Sequence, residues 1–167
     1  MSSRLEGKAF INSMREGEGI LNQAVREGRF SDSVLGAWAL TELQMNGIFQ
    51  LAMGIVDPEH DKRIGIVLGY NLQFGQKLNF AKETETITSD EYEKINRFNN
   101  FRNELLHVKR KGKPAWFFTI TEEEKKEVIE SAWEAAHASM TAMIRLIEHF
   151  RGRMGFPSEV NTEKSEP

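Results

Sequence analysis

Ile95-Asn96-Arg97-Phe98-Asn99-Asn100-Phe101-Arg102-Asn103-Glu104-Leu105-Leu106-His107 is the stretch on which the fold turns. At about 100° per residue, Ile95, Phe98, Arg102 and Leu105 fall on one stripe of a helix. An arginine therefore interrupts a face that is otherwise apolar. A buried guanidinium needs a carboxylate, phosphate or carbonyl partner, because an unpaired buried charge is costly. Asn96, Asn100, Asn103 and His107 form a second stripe that is polar and uncharged. Asparagine is a poor helix former, so Asn96, Asn99, Asn100 and Asn103 so close together weaken the helix. Hydrogen bonding in a wet interface is the reason we assign for them.

The elements on either side are read outward from this helix. Thr88-x-x-Glu91 is a capping-box pattern that starts it, and it should run to about Val108. Upstream, residues 66–84 read as a third helix with Leu68, Leu72, Leu78 and Ala81 as its stripe. Gly65, Gly69 and Gly75 weaken the start and continuity of that helix. Residues 33–56 carry apolar side chains around most of the helix circumference, from Val34 to Val56. Such a helix belongs at the centre of a bundle, and Asp57-Pro58 stops it. Residues 3–28 form a first helix, joined to the second at Arg29 to Asp32. Ser31 or Asp32 could cap the second helix.

Downstream lie a basic turn, Lys109 to Lys113, and an apolar run, Ala115-Trp116-Phe117-Phe118-Thr119-Ile120. The run reads as a short extended segment near 115–120. Thr121-x-x-Glu124 is a second capping box, and its acidic first turn suits the positive end of a helix dipole. The last helix should reach about Arg153, with Ile129, Ala132, Trp133, Ala136, Met140, Met143, Ile144 and Ile147 as its core face. These readings add up to an all-α antiparallel bundle of about five helices. A single domain is expected over residues 1–153, followed by a flexible polar tail over 154–167. Apolar residues left exposed on the second and last helices are candidates for a dimer interface.

Composition bounds the function. The 167 residues carry a formal net charge of −3, so bulk electrostatics do not call for nucleic acid or membrane. Any anionic partner must be met by a local patch. There is no cysteine, which excludes disulfides and thiolate metal sites. The N-terminal stretch has no apolar core of a signal peptide, and no run is long enough to span a membrane. A cytoplasmic protein with no membrane partner is the expectation.

Arg102 and His107 are five residues apart and point roughly 140° from each other on one helix. A single subunit would not easily bring them onto one small group, whereas a two-fold dimer pairing two copies of the helix could. Arg102, Asn103 and His107 resemble the signature of HEPN domains, in which an Arg, commonly followed by Asn, precedes a His by four to six residues. Phe74-x-x-Lys77-Leu78, Thr88-Ser89-Asp90-Glu91-Tyr92 and Ile95-Asn96-x-Phe98 resemble the run-in of many members, the mannitol-operon repressor-like proteins among them. The similarity spans roughly residues 66–150. Leu106 and Val108 flank the His where many members have a small residue and a glycine.

The resemblance implies a small helical bundle, commonly a homodimer. In active members it implies metal-independent RNA cleavage in a toxin or defence role, with no metal and no cofactor. His107 would move protons at the ribose 2′-hydroxyl or the leaving oxygen, Arg102 would stabilise charge on the phosphate, and Asn103 would orient the group. Lys109, Arg110, Lys111 and Lys113 could bind flanking phosphates, and Trp116 or Phe117 could stack on a base. The alternative is a non-catalytic regulatory or protein-interaction module, in which Arg102 and His107 form a structural network and the partner is a protein such as an antitoxin. Glu134-x-x-His137 has a spacing used by bundle metal sites, but no second copy accompanies it. Glu59-His60-Asp61 reads as a solvated turn.

Overall fold

The computed structural model describes residues 2–56, 67–69, 71–106 and 120–153. Among the described residues five long helices carry the fold: α1 (Ser2–Arg26), α2 (Phe30–Val56), α3 (Phe74–Glu83), α4 (Ser89–Leu106) and α5 (Glu122–Arg153). No strand occurs among the described residues, and the protein is an all-α helical bundle. The proposed extended segment near 115–120 and the tail over 154–167 lie outside the described residues, Ile120 aside. Ile120 is in neither helix nor strand.

Both capping boxes form. The Thr88 N–H donates to Glu91 Oε2 at 2.7 Å and the Glu91 N–H to Thr88 Oγ1 at 3.2 Å. At α5 the Thr121 N–H donates to Glu124 Oε2 at 2.7 Å and the Glu124 N–H to Thr121 Oγ1 at 3.2 Å. Each box satisfies two of the amides that a helix start leaves without intrahelical partners. α1 ends at Gly28, whose φ of 65° lies in the left-handed region that glycine enters at little cost. The chain then reverses into α2, with Ser33 Oγ donating to the Arg29 carbonyl at 2.7 Å.

The third helix differs from its sequence reading. Residues 67–69 are helical, but the chain leaves the helix at Leu72 and Gln73, and α3 begins afresh at Phe74. Gln73 and Gln76 form a reciprocal cap, with Gln76 Oε1 taking the Gln73 N–H at 2.8 Å. Glutamine is not among the favoured capping residues, so this break carries no strong signal in the sequence.

α2 is the central helix and packs against α1, α3 and α5. Gly17 of α1 lies against Leu40 and Gly36 against Leu21, so α1 runs antiparallel to α2. A Cβ on Gly17 would come within 2.6 Å of the end of the Leu40 side chain, which would have to shift. Trp133 Nε1 donates to Asn22 at 2.9 Å and His137 meets Glu18 at 3.4 Å, so α1 is antiparallel to α5 as well. α2 and α5 therefore lie side by side in the same sense. α4 runs against α5, as Arg145 on Glu91 and Arg97 on Glu127 show.

Two apolar clusters fill the bundle. One gathers Met45, Ile48, Leu78, Ile95, Ala142 and Met143; the other gathers Leu21, Ala37, Leu40, Phe98, Val128 and Ala132. Between them Gln44 reaches across from α2 to accept a hydrogen bond from Ser139 Oγ of α5, so a buried amide is paired. Trp133 and Ile144, read as core from the α5 pattern, are partly exposed at 39% and 46%. Ala132, Ala136, Met140 and Met143 are buried as read, and Val128, Ala135, Ala138, Ala142 and Leu146 complete the core stripe of α5.

A cleft around Arg102

α4 presents Ile95 and Phe98 fully to the core, at 0% and 2% exposure, and then Arg102 on the same face. Arg102 is half-buried, so the arginine does interrupt an apolar stripe. Its partner is first of all an aromatic face. The guanidinium carbon sits 4.1 Å from the centroid of the Trp38 ring on α2, a cation–π stack. One terminal nitrogen donates to Asn99 Oδ1 at 3.4 Å, a long bond one helical turn back. Arg102 Nε and Trp38 Nε1 are both buried and find no acceptor among the described residues.

The guanidinium lines a cleft of about 580 Å³ between α2, α3 and α4. Trp38 and Glu42 supply the α2 wall, Gln73 the start of α3, and Asn99, Arg102 and Asn103 the α4 wall. Burial pulls the Arg102 guanidinium below its ordinary value, and the negative charge of Glu42 opposes that shift. The group stays protonated at neutral pH, since arginine is far too basic to lose its proton. Arg102 makes no ion pair with a carboxylate among the described residues, whereas Glu42 is claimed by Lys77 at 2.6 Å. The arrangement can take an anionic group with acceptor oxygens. It offers a cation held flat by an aromatic ring, with side-chain amides on the same wall.

The structure thus brings Arg102 and Asn103 to one cleft. His107, Lys109, Arg110, Lys111 and Lys113 lie outside the described residues, as do Trp116, Phe117 and the Glu59-His60-Asp61 run. Of the asparagine stripe, Asn96 and Asn103 are half-buried and Asn100 is exposed. Glu134 and His137 serve packing and surface pairing. Glu134 faces Arg97 at 3.8 Å, and the His137 ring stacks on Trp133 at 4.3 Å. No group of three His, Asp or Glu side chains placed to hold a metal occurs among the described residues. No helix among them is long and apolar enough to cross a membrane.

Trp38 and Glu42 were not singled out by sequence reasoning; Asn99 and Lys77 were named there, without a place in or beside this cleft. Lys77 had a usable signal. It shares the face of α3 that Phe74, Leu78 and Ala81 bury, at helical spacing, so a lysine stands in an apolar stripe just as Arg102 does. The result is an all-helical bundle whose second, third and fourth helices enclose an arginine-bearing cleft. No protein-family model, curated protein or solved structure matches the chain.

Proposed function

We propose that this protein is a HEPN-like endoribonuclease that works without a metal, with Arg102 as its phosphate-binding residue. The observation that carries this reading is the open cleft in which Arg102 and Asn103 stand together, with the guanidinium on Trp38 and unpaired with any described carboxylate. A purely structural arginine would be expected to spend its donors on carboxylates or carbonyls. Among the described residues Arg102 spends only one, at 3.4 Å.

In this reading the 2′-oxygen of the ribose attacks the adjacent phosphorus, and the P–O5′ bond breaks. His107 takes the 2′-hydroxyl proton or delivers one to the departing 5′-oxygen, since imidazole titrates near neutral pH. Arg102 holds the non-bridging oxygens as charge builds on them. Asn103 fixes the phosphate's orientation, and Lys109, Arg110, Lys111 and Lys113 bind neighbouring phosphates. A homodimer with two copies of α4 at its interface brings the Arg102 of one subunit to the His107 of the other. A toxin or defence role held in check by a protein antitoxin fits such an enzyme.

Cleavage of mixed RNA in EDTA, by the native protein and by His107→Ala, tests the proposal. The native protein should cut and the variant should not. Equal cutting by both, or none by either, rejects it. A second reading has one observation of its own: the Arg102 stack on Trp38 also ties α4 to α2, as a non-catalytic regulatory or protein-interaction module would require. That reading expects Arg102→Ala to unfold the protein or dissociate a dimer, and light scattering of that variant decides it.

A further inference from the structure

Behind the cleft, paired with Glu42 of its wall, stands a second cation, one to which the nuclease reading gives no role. Lys77 is 2% exposed, and its ammonium donates to Glu42 Oε1 at 2.6 Å and to Asn46 Oδ1 at 2.5 Å. A buried ammonium must be paired in this way, because desolvation of an isolated charge is prohibitive. Glu42 is the informative member. Its side chain is about one-third exposed and forms part of the cleft wall that Arg102 also lines. A carboxylate on the wall of an anion site is a competitor, since carboxylate and guanidinium form a strong two-pronged pair. Here the competitor is taken. Glu42 pairs with Lys77 and not with Arg102.

We infer that Lys77 is a positioning residue, which holds Glu42 as its own counter-ion and so leaves the Arg102 guanidinium free for an RNA phosphate. The inference rests on the reading that Arg102 meets a phosphate. Arg102 and Glu42 on the cleft wall and Lys77 behind it together carry a net positive charge. Without Lys77 the balance is neutral, and Glu42 is released toward the guanidinium. The roles divide by depth: Lys77 is buried and does not line the cleft, whereas Arg102 does.

The test is binding of a single-stranded RNA with 2′-O-methyl riboses, which cannot be cut because the attacking oxygen is blocked. Fluorescence anisotropy is read over a salt series. Lys77→Met keeps the aliphatic volume and should bind about tenfold more weakly, with a shallower salt dependence. Glu42→Gln removes the competitor and should bind about threefold more tightly. The double variant, Lys77→Met with Glu42→Gln, should return to within about threefold of native. A merely structural lysine would not be rescued by the second change. Native-like binding by folded Lys77→Met, or a double variant as weak as Lys77→Met, overturns the inference while the RNA reading stands. If the native protein shows no salt-dependent binding, both fall. Should Lys77→Met fail to fold, Glu42→Gln carries the test alone, and equal or weaker binding by it overturns the inference.

Discussion

Two arginines mark opposite ends of α4, and their surroundings differ. Near its start, Glu91 is gripped by Arg145 through two hydrogen bonds, at 2.7 and 2.8 Å, and Arg145 also donates to the Thr86 carbonyl at 3.1 Å. Near its end, Arg102 has one long bond and an aromatic ring. Arg145 has nearly filled its fork with partners supplied by the fold. Arg102 is held in place with its donors largely unspent among the described residues. The first is a clamp that fixes α4 against α5; the second is a cation kept available. The same residue type thus separates into structure and candidate function by how many of its donors the protein itself satisfies.

The largest expected effect separates the two directly. Arg102→Ala should lower RNA cleavage about a hundredfold or more, the usual consequence of removing one donor that meets developing charge. Its cost in stability should stay below about 2 kcal/mol, the loss of a partly buried cation–π contact. Arg145→Ala should leave cleavage within about threefold of native at a comparable cost in stability. Cleavage assays in EDTA paired with urea melts of both variants would show it. An Arg145 variant that is stable but inactive would break the comparison.

Next in size is the stability of the clamp. Removing one partner of a fully buried pair costs about 3–5 kcal/mol, but Arg145 remains 44% exposed, so about 1–2 kcal/mol is the expected loss for Arg145→Ala. The pH dependence sharpens this. Burial alone would raise the Glu91 carboxyl, but hydrogen bonds from Arg145 and from the Thr88 N–H override it and hold the group below its ordinary 4.5. A carboxyl whose folded pKa is depressed contributes stability above its unfolded pKa and loses it as pH falls through the folded one. The gap between native and Glu91→Gln should therefore be constant from neutral pH down to about 4.5 and close below it. Urea denaturation across that range checks it, and a gap that persists in acid would show that the clamp does not act through charge.

How much of this contrast the sequence reveals depends on the range of the interactions. The starts of α4 and α5 are legible because they rest on local chemistry, Thr88 with Glu91 and Thr121 with Glu124, whereas α2 starts at Phe30, ahead of the Ser31 and Asp32 expected to cap it. The break before α3 shows in the sequence only as a continuity weakened by Gly69 and Gly75, because its N-cap, Gln73, is not a favoured capping residue. Arg102 is legible as an oddity, since its neighbours on the helix face are Ile95 and Phe98. Its stacking partner is not legible, because Trp38 lies on another helix and, read from α2 alone, is one more apolar core residue. Lys77 and Glu42 are 35 residues apart, and only packing brings them together. The exposure of Trp133 and Ile144 is illegible for the same reason, since a periodic pattern does not tell which edge of a wide apolar face a neighbour will cover.

The smallest expected effect bears on why Arg102 is held by a ring. Trp38→Phe keeps an aromatic face under the guanidinium and removes the indole N–H, a buried donor with no acceptor among the described residues. Two terms oppose each other. Phenylalanine is the weaker cation–π partner and leaves a small void, each a loss of up to about 1 kcal/mol. Deleting an unsatisfied buried donor returns about 1–3 kcal/mol of desolvation cost. The net change in stability should lie within about 1 kcal/mol of zero, and cleavage should stay within about threefold of native, because the ring still orients the guanidinium. Trp38→Ala removes the face itself and should resemble Arg102→Ala in activity. If the phenylalanine variant instead loses activity as fully as the alanine one, the indole N–H has a role of its own in the cleft. Arg102 would then be one half of a two-donor site, and its contrast with Arg145 would extend to the ring beneath it.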